Sequence, residues 1–187
     1  LFSDLHYLDD NHKEKTNRKL TKLAIPVIEK LIYEINQKIK PDICVNLGDL
    51  IEDTEDYKQD IMNYDFAYTK LKEIKEKENI DFTIVNGENS AEGMGITEKN
   101  FNDIISQGVD CVTMGNHTWG KKDIFKFIDN PKIIRPANYP EGVVGKGYNI
   151  YECKGKKIAV INIMGRVDIN ILTENPFLKD LALLRLS

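Results

Sequence analysis

Histidine is scarce in this chain: His6, His12 and His117 are all that its 187 residues contain. Cysteine is nearly as rare, and Cys44, Cys111 and Cys153 include no close pair. A structural zinc site or a disulfide framework is therefore not expected. Cys44 and Cys111 sit inside apolar runs, where cysteine acts as a small buried hydrophobe, and a reducing, cytoplasmic setting fits that use. No run approaches the roughly 20 apolar residues of a membrane span, and no leader-like segment stands out. Positive charge is not in excess either. With 26 Lys and Arg against 30 Asp and Glu the net charge is -4, so stable nucleic-acid binding is not expected.

What remains is the balance of a soluble globular chain, 41% hydrophobic and 30% charged, sized for a single domain over residues 1–187. Apolar residues at Leu20, Leu23, Ala24, Val27, Ile28, Leu31, Ile32, Ile35 and Ile39 predict a helix over 14–39, kinked near Pro26. A second helix is predicted over 57–78. Thr97 caps a third, carrying Phe101, Ile104 and Ile105 and stopped by Gly108. A fourth covers 121–129 and ends at Asn130-Pro131. Tyr148–Cys153 and Lys157–Met164 read as strands joined by a hairpin-like turn at Lys154-Gly155-Lys156. Leu1 opens a strand-like run and the apolar stretch Leu181–Leu186 carries no stop signal. That is the pattern expected of a piece of a longer chain.

The informative feature is a repeat. Pro41–Asp49, Ile80–Asn89 and Val109–His117 are each an apolar run that ends in glycine and a ligand-type side chain. Leu1–His6 is a shorter version. Helices separate them, which implies a largely parallel sheet covered on both faces, with ligands bound beyond the C-terminal strand ends. Asp4, His6, Asp49, Glu88, Asn89, Asn116 and His117 are thereby gathered towards one rim. Such a set suits hard or borderline divalent ions, manganese, iron or magnesium before zinc. His12, among Asp9, Asp10, Asn11 and Lys13, reads as a solvated loop residue.

Asp4-Leu5-His6, Gly48-Asp49 and Gly115-Asn116-His117 resemble, in order and each after a strand, the opening motifs of the calcineurin-like metallophosphoesterase superfamily. From about residue 70 to 166 the chain resembles its bacterial 2',3'-cyclic-nucleotide 2'-phosphodiesterase branch. The segments that carry this are Asn86-Gly87-Glu88-Asn89, Gly115-Asn116-His117-Thr118-Trp119, Arg135-Pro136-Ala137-Asn138-Tyr139-Pro140 and Ala159-Val160-Ile161-Asn162. The first 70 residues resemble a more general metallophosphoesterase. The resemblance implies a layered α/β domain, truncated at its C-terminus, and hydrolysis of 2',3'-cyclic nucleotides by hydroxide activated between two divalent metal ions. It implies metal ligands at Asp4, His6, Asp49, Glu88, Asn89 and Asn116, a catalytic pair in Asn116 and His117, and substrate contacts from Arg135 and Asn138.

The resemblance has two departures. Asp49 and Glu88 match the same bridging role, which suggests a junction of two family members near 65–80 or an inserted βα unit. The later histidine ligands of the superfamily have no counterpart here. A phosphatase or pyrophosphatase acting on linear nucleotides therefore stays open, as does a catalytically silent phosphate-binding fragment. The expected partner is a small nucleotide, and self-association is left open. For Trp119 the sequence allows a wall of the pocket, stacking on a base, or core packing.

Overall fold

In the computed structural model, the described residues are 57–165, the strand Cys44–Asn46, and Lys30, Tyr33 and Thr173. Of the predicted helix over 14–39 only Lys30 and Tyr33 fall among them, and both are helical. Asp4, His6, His12 and Asp49 lie outside the described residues.

The chain divides into two compact units, Leu1–Val85 with Ile104–Val109, and Asn86–Asp103 with Asp110–Ser187. In the first, strand β1 (Cys44–Asn46) pairs in parallel with the start of β2 (Thr83–Asn86), Cys44 opposite Thr83 and Asn46 opposite Val85. Between them runs helix α1, Tyr57–Lys77. Lys75 and Lys77 occupy its last turn, where cations complement the helix dipole. It ends as Asn79 turns left-handed at φ 52° and Ile80 N–H returns to Lys75 O at 3.0 Å. The chain then enters β2 through Phe82, Thr83, Ile84 and Val85, all buried, as expected of a strand covered on both faces.

Helix α2 (Glu98–Ser106) follows the sequence reading closely. Thr97 Oγ1 accepts the Asn100 N–H at 3.2 Å and Asp123 Oδ2 accepts the Glu98 N–H at 2.8 Å, so two orphan donors of the first turn are satisfied. Gly108, at φ 83°, stops it. In the second unit β3 (Cys111–Thr113) pairs in parallel with β4 (Ile133–Ile134), Val112 opposite Ile133. The segment expected to be helical over 121–129 is instead a short 3-10 helix, Lys122–Lys126. Its leading Lys121 makes no side-chain cap, and Ile124, Phe127 and Ile128 all turn inward, with Phe127 stacked on Phe101 at 5.0 Å.

Strands β5 (Tyr148–Cys153) and β6 (Lys156–Ile161) form an antiparallel hairpin. Lys154 and Gly155 take φ of 47° and 73°, the two left-handed positions a tight hairpin turn requires. The fold class is thus α/β with parallel strand pairing, as the repeat implied. No helix among the described residues is long and apolar enough to cross a membrane.

Candidate active site

Two loops of the second unit carry the described candidates, and both are built the same way. In Gly87-Glu88-Asn89-Ser90 the Ser90 N–H reaches Gly87 O at 3.2 Å and the Ser90 hydroxyl donates to that oxygen at 2.8 Å. In Gly115-Asn116-His117-Thr118 the Thr118 N–H reaches Gly115 O at 3.2 Å and its hydroxyl donates there at 2.6 Å. Each turn presents its two central residues, Glu88 with Asn89 and Asn116 with His117, at the end of a short strand. The Gly87 N–H to Thr113 O bond at 2.9 Å ties the first turn to β3. The closing hydroxyls belong to a Gly-x-x-Ser/Thr repeat visible in the sequence, Gly87 to Ser90 and Gly115 to Thr118.

His117 Nδ1 lies 2.8 Å from Asn89 Oδ1 and 3.9 Å from Glu88 Oε1. An amide oxygen only accepts, so Nδ1 carries the proton and Nε2 is the nitrogen turned to other chemistry. The ring is about one third exposed, and Glu88 less so at 17%. Gly115 is part of the same geometry. A Cβ added to it would fall 1.3 Å from Glu88 Oε2, so the carboxylate occupies the space that a side chain would fill. Glu88 N–H also bonds Asn86 Oδ1 at 2.9 Å, which fixes the start of the turn.

Donors of this kind, a carboxylate, amide oxygens and an imidazole, fit one side of a hard or borderline divalent site. Among the described residues no cluster of three or more His, Cys, Asp or Glu side chains is close enough to hold an ion without amide help.

Tyr139 was missed by the sequence reading, which singled out its neighbours. It is buried, and its hydroxyl stands 3.4 Å from Gly115 O. Burial pushes the phenol above its ordinary value; hydrogen bonding with Thr118 and Trp119 and the charge of Arg135 pull it down, while Glu88 raises it further. Arg135 and Asn138 are occupied with the chain itself. The Arg135 guanidinium donates to Val144 O, Pro136 O and Val143 O at 2.9, 2.7 and 2.8 Å. Burial lowers its pKa from the usual guanidinium range. Asn138 is fully buried, donates Nδ2–H to Met164 O at 2.8 Å and accepts Met164 N–H at 2.9 Å. The Asn162 amide donates to Met114 O, directly before the histidine turn.

Comparison with known proteins gives the same neighbourhood. A family model described as YmdB-like protein matches residues 62–185. A 2',3'-cyclic-nucleotide 2'-phosphodiesterase of Bacillus subtilis is 49% identical over 116 residues, which cover 62% of this chain and 44% of that protein. A solved hypothetical protein of Thermus thermophilus superposes with a TM-score of 0.62 at 30% identity, over 67% of this chain and 48% of the other. A solved phosphatase of Mycoplasma pneumoniae gives a TM-score of 0.58 at 34% identity, over 65% and 46%. The chain spans less than half the length of these relatives. The matched region contains both turns, the Arg135–Pro140 segment and the hairpin, and the chain belongs to the YmdB-like protein family.

Proposed function

We propose that this chain carries part of the active site of a metal-dependent phosphodiesterase that opens 2',3'-cyclic nucleotides. The observation that carries the reading is the Glu88–His117–Asn89 contact across two like turns, at 3.9 and 2.8 Å. Glu88, Asn89 and Asn116 are the residues that would hold divalent ions, with Asp4, His6 and Asp49 as further ligands on the sequence reading. Bound there, such ions neutralise phosphoryl charge and supply a nucleophile at neutral pH.

The chain's own groups do the rest. Asn89 holds the His117 ring with its Nδ1 proton inward and Nε2 free to face the substrate. In the imidazolium form, protonated on both nitrogens, Nε2 would give its proton to the leaving oxygen and return to the neutral Nδ1–H tautomer. Asn116, on the same turn, has an amide suited to a phosphoryl oxygen. Phosphate contact is assigned to this pair rather than to Arg135, whose donors reach three main-chain carbonyls. The name of the Bacillus relative supports the cyclic substrate.

The test is manganese titration by calorimetry followed by a 2',3'-cyclic AMP hydrolysis assay, with Glu88→Gln and His117→Ala alongside. Glu88→Gln is expected to weaken manganese binding. His117→Ala is expected to keep it and lose about 10²- to 10⁴-fold in turnover. Manganese binding unchanged by Glu88→Gln would sink the assignment of Glu88 as a ligand. Faster turnover of linear than of cyclic nucleotides would sink the substrate.

A further inference from the structure

Beside His117 the chain leaves a ring, Phe125, and a thioether, Met94, in water, and phosphoester chemistry has no use for them. Trp119 follows His117 by two residues on a turn closed by the Gly120 N–H to His117 O bond at 2.9 Å. Its ring lies nearly parallel to Phe125, 14° apart with centroids at 5.4 Å, and meets Tyr139 at 5.9 Å. Packed between the Phe125 ring and the buried Tyr139 ring, the indole is held on two sides. Tyr139 is in turn 3.4 Å from Gly115 O, so the ring stack rises from the base of the histidine turn.

The outer ring is open. Phe125 is 59% exposed, and its direction is imposed by Ile124, its fully buried neighbour on the 3-10 helix. Met94 is 51% exposed and lies against Gly120, where an added Cβ would come within 2.7 Å of Met94 Cγ. The two loops pack backbone to backbone, for a Cβ on Gly95 would meet Lys121 N at 2.9 Å. The apolar surface is therefore held on rigid supports. At its edge Lys121 Nζ pairs with Glu92 at 2.6 Å, a polar rim beside an apolar face. Single exposed apolar residues are ordinary; a thioether packed on Gly120 and a ring pair that includes its chain neighbour Trp119, two residues from a phosphate-type histidine, are not.

We propose that Phe125, Trp119 and Met94 form a platform on which the nucleobase of the substrate stacks while its phosphate sits at His117. This rests on the nucleotide reading above and names the part of the site that recognises the base. A flat ring with polar edges matches an apolar shelf with a charged rim, and a thioether adapts to rings of different size. Every base has a π-face, so the platform favours purines by area while accepting pyrimidines.

Trp119 is the chain's single tryptophan, and its fluorescence therefore reports on the platform directly. The probes are adenosine 3'-monophosphate and, as a base-free control, ribose 5-phosphate. Saturable quenching by the first and none by the second is expected. Phe125→Ala should weaken binding of the adenosine probe about 5- to 150-fold, and Phe125→Tyr, which keeps the ring, should restore it. Since Phe125 is exposed, its truncation leaves the core intact. Equal binding of the two probes, no binding of the adenosine probe, or an unchanged Phe125→Ala would overturn the platform. So would a Phe125→Ala protein whose only change is loss of self-association. Because binding is read without turnover, base-dependent quenching without cyclic-nucleotide hydrolysis would refute the phosphodiesterase reading alone.

Discussion

Replacing Gly115 with alanine should separate the fold from the site. Gly115 has no left-handed φ, so alanine fits its backbone and the whole effect is steric. The added Cβ would stand 1.3 Å from Glu88 Oε2, 2.4 Å from Cδ and 2.9 Å from Oε1. An ordinary contact begins near 3.4 Å, so the carboxylate oxygen must move by about 2 Å. It is the far end of a flexible side chain, and it can move without dragging the strand. Gly147→Ala is the comparator, because its Cβ would meet Ala137 Cα, a backbone atom, at 2.2 Å. Urea unfolding in a chelator should place Gly115→Ala within about 1 kcal/mol of the parent, and Gly147→Ala about 2–4 kcal/mol below it. Manganese calorimetry should then show Gly115→Ala weakened about 10- to 100-fold, the loss typical when a ligand's support is disturbed. Parental manganese affinity in Gly115→Ala would refute the reasoning, since the carboxylate would have moved without consequence for the ion.

Three further outcomes follow from the same structure. Arg135→Lys loses a planar fork that reaches three main-chain carbonyls, and urea unfolding should register a loss of about 2–4 kcal/mol. Asn138→Leu leaves the buried N–H and C=O of Met164 without their partner, for a loss of about 2–5 kcal/mol in the same assay. Burial pushes the Cys111 thiol up to about 11, with a hydrogen bond to Tyr151 opposing it. The unfolded chain releases this proton first, so the thiol's contribution is intact below about pH 9 and fades as pH rises towards 11. Urea midpoints should fall across that window, and less so in Cys111→Ala; an equal fall in both proteins would refute the assignment.

Much of this was legible before any coordinates, for identifiable reasons. Apolar runs closed by glycine announced β2 and β3, and Lys154-Gly155 announced the hairpin turn, because each rests on local chemistry. Strand β4 escaped notice since Ile133-Ile134 is too short to show a period and exists only by pairing with β3. The helix expected over 121–129 shrank to a five-residue 3-10 helix although Ile124, Phe127 and Ile128 keep the i, i+3, i+4 spacing that suggested it, because spacing marks the buried face and not the length of the helix. At the site, the ligand-type residues could be read from their motifs. What could not be read is that Arg135 reaches backbone oxygens, which are the same at every position and leave no trace in a sequence. Tyr139 was hidden for a related cause, as its target is a glycine carbonyl. Asp4, His6 and Asp49 stay with the sequence argument.

Asn138 offers Met164 one N–H and one C=O, which is what a neighbouring peptide unit would offer. One step earlier, Ala137 N–H bonds Asn162 O, and Arg135 N–H bonds Lys146 O. The excursion between Arg135 and Lys146 is thus closed by a main-chain bond, with the Asn138 side chain continuing the pairing where a peptide unit would stand. Its tip is a different matter: Gly142 is exposed, and no atom lies within 4 Å of where its side chain would be. Alignment of the flanking chain is set by the anchors and not by the length of the excursion, so added residues at the tip cost only the slow entropy of a longer loop. A peptide tag inserted next to Gly142, leaving the glycine and its left-handed φ of 84° in place, would ride on the molecule without disturbing the register beneath it.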